Sequence, residues 1–346
     1  MADGCRELRR LNRSRPRLPE DVLAPRPRIV PLSRDEGGKL VDLARGSMVT
    51  RSRDLDAFYY GSPDDVRLID FGDGLQFVCI GLIPERRLLL ESVYGFLTLK
   101  NGVPIGYVLS SALFRSSEVA YNVFETYRGM EAGYVYGCVL AMLRKLFNSD
   151  SFTIYPYQLG LGNEEGLRSG AWWFYQKIGF RPRDAGVRRL MQSELLRMRA
   201  NPSHRSSISI LTKLAAGNLY YHLGGRRDDV IGLLPLSNIG LHATRFLAEH
   251  FGSDRERGAR ICTKEAASLL GIRGGWTPGE RFALERWSPL VMILPGIGRW
   301  NKEELRALWA VIRAKGGRRE SDFVCLFDRH RRLRSAIRKL AEMEVR

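Results

Sequence analysis

The apolar residues change their period once between residues 92 and 147, and that change constrains the fold more than any other feature of the chain. Ser92–Leu99 and Ile105–Leu109 are short runs rich in β-branched and aromatic residues, as strands are. Asn101-Gly102 lies between them, and both residues tolerate the positive φ that a two-residue hairpin needs. A second turn is expected at Ser116-Ser117, followed by a third strand over Val119–Phe124. From there the period lengthens. Val135, Val139, Met142, Leu143 and Leu146 recur at steps of three and four, which predicts a helix over about Ala132–Phe147. Phe152–Tyr155 reads as a further short strand and Gly160–Asn163 as a loop. A second helix is expected from about Gly166 to Ile178. Gly179 ends it in the left-handed conformation, and Pro182 bars its resumption. This order predicts an α+β fold with a mixed, mostly antiparallel sheet flanked by helices.

The flanks are read from punctuation. Residues 1–35 are rich in Pro and Arg, which breaks regular helix and predicts a loose N-terminal arm. Leu40–Met48 predicts a short helix. Val66–Ile83 predicts one or two strands around Gly72-Asp73-Gly74. Residues 36–184 are therefore expected to form one domain, and residues 185–346 a mostly helical region. In that region Ser237 or Asn238 can cap a helix running to His250. Thr277-Pro278-Gly279-Glu280 and Asn301 with Glu304 fit capping boxes. Leu305, Leu308, Trp309 and Ile312 make one apolar stripe, closed by Gly316. Pro289–Gly298, apolar and broken by glycine, is expected as a buried strand or connector.

Charge is unevenly placed. The 346 residues carry a formal net charge of +17, and residues 185–346 hold 30 basic and 16 acidic groups, which is most of it. Such a field attracts polyanions and makes nucleic acid or an acidic partner a candidate for the C-terminal region. No apolar run is long enough for a membrane-spanning helix, and the N-terminus has no apolar secretory core. The cysteines (Cys5, Cys79, Cys138, Cys262, Cys325) are odd in number and scattered, and the histidines share no ligand spacing with them. A reduced, cytoplasmic, metal-free protein is expected.

The candidate chemistry lies where the third strand meets the first helix. Tyr127-Arg128-Gly129-Met130-Glu131-Ala132-Gly133-Tyr134 is a glycine-bearing turn at a helix start, where backbone N–H groups and the positive end of the dipole can take an anion. The second helix ends Ala171-Trp172-Trp173-Phe174-Tyr175-Gln176-Lys177-Ile178-Gly179-Phe180-Arg181-Pro182. With these two segments in this order, residues 90–183, about a quarter of the chain, resemble the GNAT acyltransferase superfamily.

The resemblance implies a GNAT-like sheet and an acyl-coenzyme A donor, acetyl-coenzyme A first. It implies a small-molecule or peptide amine as acceptor, with no metal. The donor would lie in a V-shaped opening between the third and fourth strands. Tyr175 matches the tyrosine that protonates the departing thiolate. Arg128, Gly129, Ala132 and Gly133 match the turn that cradles the pyrophosphate. Tyr121 to Val123 match the strand whose backbone bonds the pantetheine arm and stabilises the oxyanion. Asn163 and Ser169 fall where polar groups flank that arm. Glu118 and Glu125 are the carboxylates that could take the amine proton. Glu131 departs from the pattern, for it stands where the family has Gly. Its Cβ and charge would crowd and repel a pyrophosphate. The strands that complete the family sheet after Phe180 are not evident, because Arg188–Arg199 reads as helix. Two other functions fit the same residues: transfer from aminoacyl-tRNA gripped by the basic region, or a non-catalytic binding module on the same fold.

Overall fold

Turn chemistry sets the registers of the sheet. The computed structural model describes residues 22–53, 56–127 and 132–345. Asn101 and Gly102 turn with φ of 52° and 80°, and join β4 (Ser92–Lys100) to β5 (Val103–Leu113). The next turn is not at Ser116-Ser117 but two residues earlier, at Phe114 and Arg115, with φ of 54° and 52°. Left-handed backbone costs such residues about 1–2 kcal/mol each, and tertiary contacts offset it. Phe114 is buried edge-on to Phe327, and the Arg115 N–H donates to Asp328 Oδ1 at 3.1 Å. Ser116 and Ser117 are buried at the start of β6 (Ser116–Val123). Their hydroxyls are used inside: Ser116 Oγ donates to the Leu113 carbonyl at 2.7 Å, and Ser117 Oγ meets Ser149 Oγ at 2.7 Å.

The sheet has nine strands in the order β1-β2-β3-β4-β5-β6-β7-β9-β8. The remaining strands are β1 (Arg28–Pro31), β2 (Gly61–Asp70), β3 (Leu75–Leu82), β7 (Ser151–Ile154), β8 (Arg181–Pro182) and β9 (Leu219–His222). Every pairing is antiparallel except β6 with β7. The fold is thus α+β with a mixed, mostly antiparallel sheet and a helical C-terminal region. Of the stretch expected as an arm, residues 1–21 lie outside the described residues. Arg28–Pro31 is the edge strand, and Ser33 with Glu36 forms the capping box that opens helix α1 (Arg34–Val49). β8 and β9 are the strands that complete the sheet after Phe180. They are only two and four residues long, too short to leave an alternating pattern.

Helices cover both faces. α1 and the short α2 (Asp56–Tyr59) bury Val41, Ala44, Met48 and Phe58 against Val78, Ile80, Leu97 and Leu99. The other face takes α3 (Ala132–Phe147) and the C-terminal helices in one continuous core. The second expected helix is broken at Gly170 (φ 66°) into α5 (Glu164–Ser169) and α6 (Ala171–Lys177), which follow a short α4 (Pro156–Leu159). α7 (Ala185–Ala200) and α8 (Ile208–Leu214) lead into β9.

Beyond β9 run α9 (Ser237–Phe251), α10 (Arg255–Leu269), α11 (Pro278–Ile293), α12 (Lys302–Gly316), α13 (Glu320–Arg329) and α14 (Arg331–Glu342). Both capping boxes form, at Thr277 and at Asn301. α9 has no side-chain cap; Asn238 Nδ2 donates instead to the Ala341 carbonyl at 2.9 Å. Pro289 lies inside α11 and ends no helix; of the stretch expected as a strand or connector, Pro289–Ile293 closes that helix and only Leu294–Gly298 is a connector. Proline cannot bond the Glu285 carbonyl, and Ser288 Oγ donates to it instead at 2.9 Å.

A buried polar seam ties these helices to the sheet. Arg87 donates to the carbonyls of Leu82, Lys315 and Gly317 at 3.0, 2.8 and 2.6 Å. Lys315 Nζ lies 2.6 Å from Glu320 Oε1, and burial still pulls its amine down to about 8. β9, past residue 184, is a strand of this same sheet. Among the described residues no helix is long and apolar enough to cross a membrane, and no three or more His, Cys, Asp or Glu side chains gather as a metal group.

Candidate functional site

β6 parts from β7 after three rungs. Ser116, Ser117 and Glu118 pair in parallel with Ser151, Phe152 and Thr153, and Val119–Val123 run on beside β5 alone. β7 turns away because Pro156, at the first position of α4, has no N–H for a ladder. An open cleft of about 680 Å³ lies along the unpaired end of β6, with residues of α4, α5 and α6 among its other walls. Tyr121, Asn122 and Val123 of β6 line one wall, Ala132 stands at the start of α3, and Tyr175 of α6 faces them across the cleft.

Six of the residues singled out in the sequence therefore line one cleft: Tyr121, Val123, Ala132, Asn163, Ser169 and Tyr175. Tyr175 is 3% exposed and packs edge-on to Phe174, Tyr136 and Phe180, at 5.2, 5.6 and 5.9 Å between centroids. Burial pushes its phenol upward, so it keeps its proton. Asn163 and Ser169 are occupied with local backbone. Asn163 Oδ1 accepts the Gly166 N–H at 3.1 Å as the cap of α5, and Ser169 Oγ donates to the Gly166 carbonyl at 3.1 Å.

The others fall elsewhere. Gly133 is the second residue of α3 and does not line the cleft. Glu125 is exposed in a 3₁₀ turn (Glu125–Tyr127) and lines an adjoining opening of about 440 Å³. Glu118 sits on the last rung before the strands part, opposite Ser111 and Thr153, and does not line the cleft. Burial first, and the Glu91 carboxylate second, raise its carboxyl to about 7, where it can exchange a proton at neutral pH. Arg128 and Gly129, with Glu131, lie outside the described residues.

The cleft also has walls that strand and helix patterns do not announce. Arg53, from the loop after α1, lies 3.5 Å from Glu165 of α5, and both residues line the cleft and the opening beside it. Arg51 stacks over the Phe124 ring at 4.0 Å. Tyr107 of β5 lines the cleft beside them, and burial raises its phenol. Single charges in a loop carry no periodic signal, so only the fold brings these groups to the site. No family model, curated protein or solved structure matches this chain.

Proposed function

We propose that the chain is a GNAT-like acyltransferase that moves an acyl group from an acyl-coenzyme A thioester, acetyl-coenzyme A first, to an amine. One observation carries this above the others: β6 parts from β7 and leaves Val119–Val123 without a β7 partner along a cleft that Tyr175 also lines. The backbone of a parted strand suits an extended amide chain, and a pantetheine arm is such a chain. The cleft volume and the start of α3 at Ala132 suit a long donor with an anionic end.

Transfer asks three things of the protein. The thioester carbonyl must meet a donor as negative charge grows on its oxygen; a backbone N–H near Val123 is the group at hand. The amine must lose a proton as its nitrogen bonds the acyl carbon. Glu118, held near 7 by burial, and the exposed Glu125 are the two carboxylates for that step. The sulfur must gain a proton as the carbon–sulfur bond breaks, and the protonated Tyr175 phenol supplies it.

Calorimetry of acetyl-coenzyme A on the wild type and on Glu131→Gly tests the proposal. Micromolar binding by the wild type supports it and warrants a screen of amines. Binding by Glu131→Gly alone identifies a donor site weakened by one carboxylate. Binding by neither overturns the coenzyme A donor and turns the search to RNA and acidic partners of the C-terminal region.

A further inference from the structure

Tyr136 stands in α3, faces the sheet and is fully buried. Its ring is edge-on to Tyr121 at 5.5 Å, Tyr175 at 5.6 Å, Phe174 at 5.9 Å and Phe180 at 6.0 Å. Two other buried aromatic side chains of this core spend their polar tips on partners, whereas the Trp287 indole N–H, like the Tyr136 hydroxyl, has none among the described residues. Trp172 Nε1 donates to the Leu214 carbonyl at 2.9 Å, and Tyr94 Oη donates to Asp65. The Tyr136 hydroxyl has no hydrogen-bond partner among the described residues. A phenylalanine would fill the same space without leaving a buried hydroxyl unsatisfied, so the oxygen needs a reason of its own.

Its surroundings supply one. Tyr121 and Tyr175 line the cleft, and Tyr136 packs against both from behind. Burial first, and then the Tyr175 and Tyr121 phenols, hold the Tyr136 phenol protonated, and burial and then Tyr175 do the same for Tyr121, so the three phenols lie within electrostatic reach of one another behind the cleft. A water molecule requires two to four polar partners to be held in a buried site, and three phenols meet that need.

We propose that Tyr136 is a positioning residue for Tyr175, acting through one ordered water shared by the hydroxyls of Tyr121, Tyr136 and Tyr175. The inference rests on the acyltransferase assignment for its purpose, but not for its geometry. When Tyr175 gives its proton to the departing sulfur, the phenolate left behind accepts a hydrogen bond from that water, which Tyr136 holds in place. Solvent then returns to Tyr175 one proton, equal to the one the amine has lost.

The test compares wild type, Tyr136→Phe, Tyr175→Phe and the double variant, first by NMR of ring-labelled tyrosine on the protein alone. Tyr136→Phe is expected to move the Tyr175 resonance and raise its titration midpoint, because the water that stabilises the phenolate is no longer held, with melting temperature little changed. An unmoved Tyr175 signal together with a raised melting temperature overturns the proposal, for the hydroxyl is then a packing defect. This readout needs no substrate, so it stands even if acetyl-coenzyme A fails to bind and the acyltransferase assignment falls. Where transfer is observed, Tyr136→Phe should lower kcat about tenfold with KM for acetyl-coenzyme A unchanged. The double variant should then be no slower than Tyr175→Phe. A multiplicative loss in the double variant overturns the proposal, because Tyr136 would then act without Tyr175.

Discussion

Tyr94 Oη donates to Asp65 Oδ2 at 2.7 Å and accepts the Ser321 N–H at 2.7 Å. Asp65 Oδ2 also accepts the Glu320 N–H at 3.0 Å. A carboxylate on β2, 1% exposed, thus stands at the N-terminus of α13, where the helix dipole favours negative charge and Arg319 offers no side-chain cap. Arg67 closes the group, 3.4 Å from Asp65 Oδ1 and 3.0 Å from Ser321 Oγ. This contact fixes the C-terminal helices on the sheet.

Removing one member should cost more than its share. Asp65→Ala leaves Arg67 buried without its carboxylate, and a loss of about 3–5 kcal/mol is expected. Tyr94→Phe should cost about 1–3 kcal/mol. The double variant should lose less than the two together, because they share partners. Urea unfolding of the four proteins measures this.

Glu118 predicts a pH-dependent gain. Its carboxyl rises from 4.5 to about 7 in the fold. Folding therefore takes up a proton there between those values, and stability falls as pH rises through that window. Glu118→Gln should stabilise the protein by up to about 3 kcal/mol at pH 8 and by far less at pH 5. Melting curves at both pH values check it. If Glu118 takes the amine proton, the same variant should be the slower enzyme.

Tyr175→Phe should leave the circular dichroism spectrum and acetyl-coenzyme A affinity close to wild type and lower kcat about 10²-fold, the usual lower range for a lost proton donor. Steady-state kinetics with the amine found by screening measures it. A fall in affinity with kcat unchanged would instead assign the phenol to binding.

Gly106→Ala tests the wall of the cleft. Gly106 pairs with Val123, and a Cβ there would lie 2.4 Å from the Asn122 carbonyl oxygen and 3.1 Å from Val123 Cα. The two strands must move apart, at a cost of about 1–3 kcal/mol. Thermal unfolding should show that loss, and titration with acetyl-coenzyme A should show weaker binding than wild type.

The sequence by itself determined the elements whose information is local. Asn101-Gly102 fixed a hairpin because few other pairs accept its backbone. The three- and four-residue steps from Val135 to Leu146 fixed α3, and Thr277 and Asn301 fixed two helix starts through caps that lie within one turn. The grouping of Tyr121, Val123, Ala132 and Tyr175 was expected from the resemblance to the GNAT superfamily, and the cleft lined by all four agrees with it. The tertiary structure alone decided the rest. Phe114 and Arg115 take left-handed backbone because Phe327 and Asp328, more than two hundred residues later, hold them. β8 and β9 are strands because neighbours supply their ladders, not because their residues alternate. Arg53, from a loop, and Glu165, from the short helix α5, meet at the cleft although their sequences say nothing of each other. Local periodicity records what a residue does within one turn or one ladder step. What β6 and β7 leave open when they part is a property of the assembled sheet.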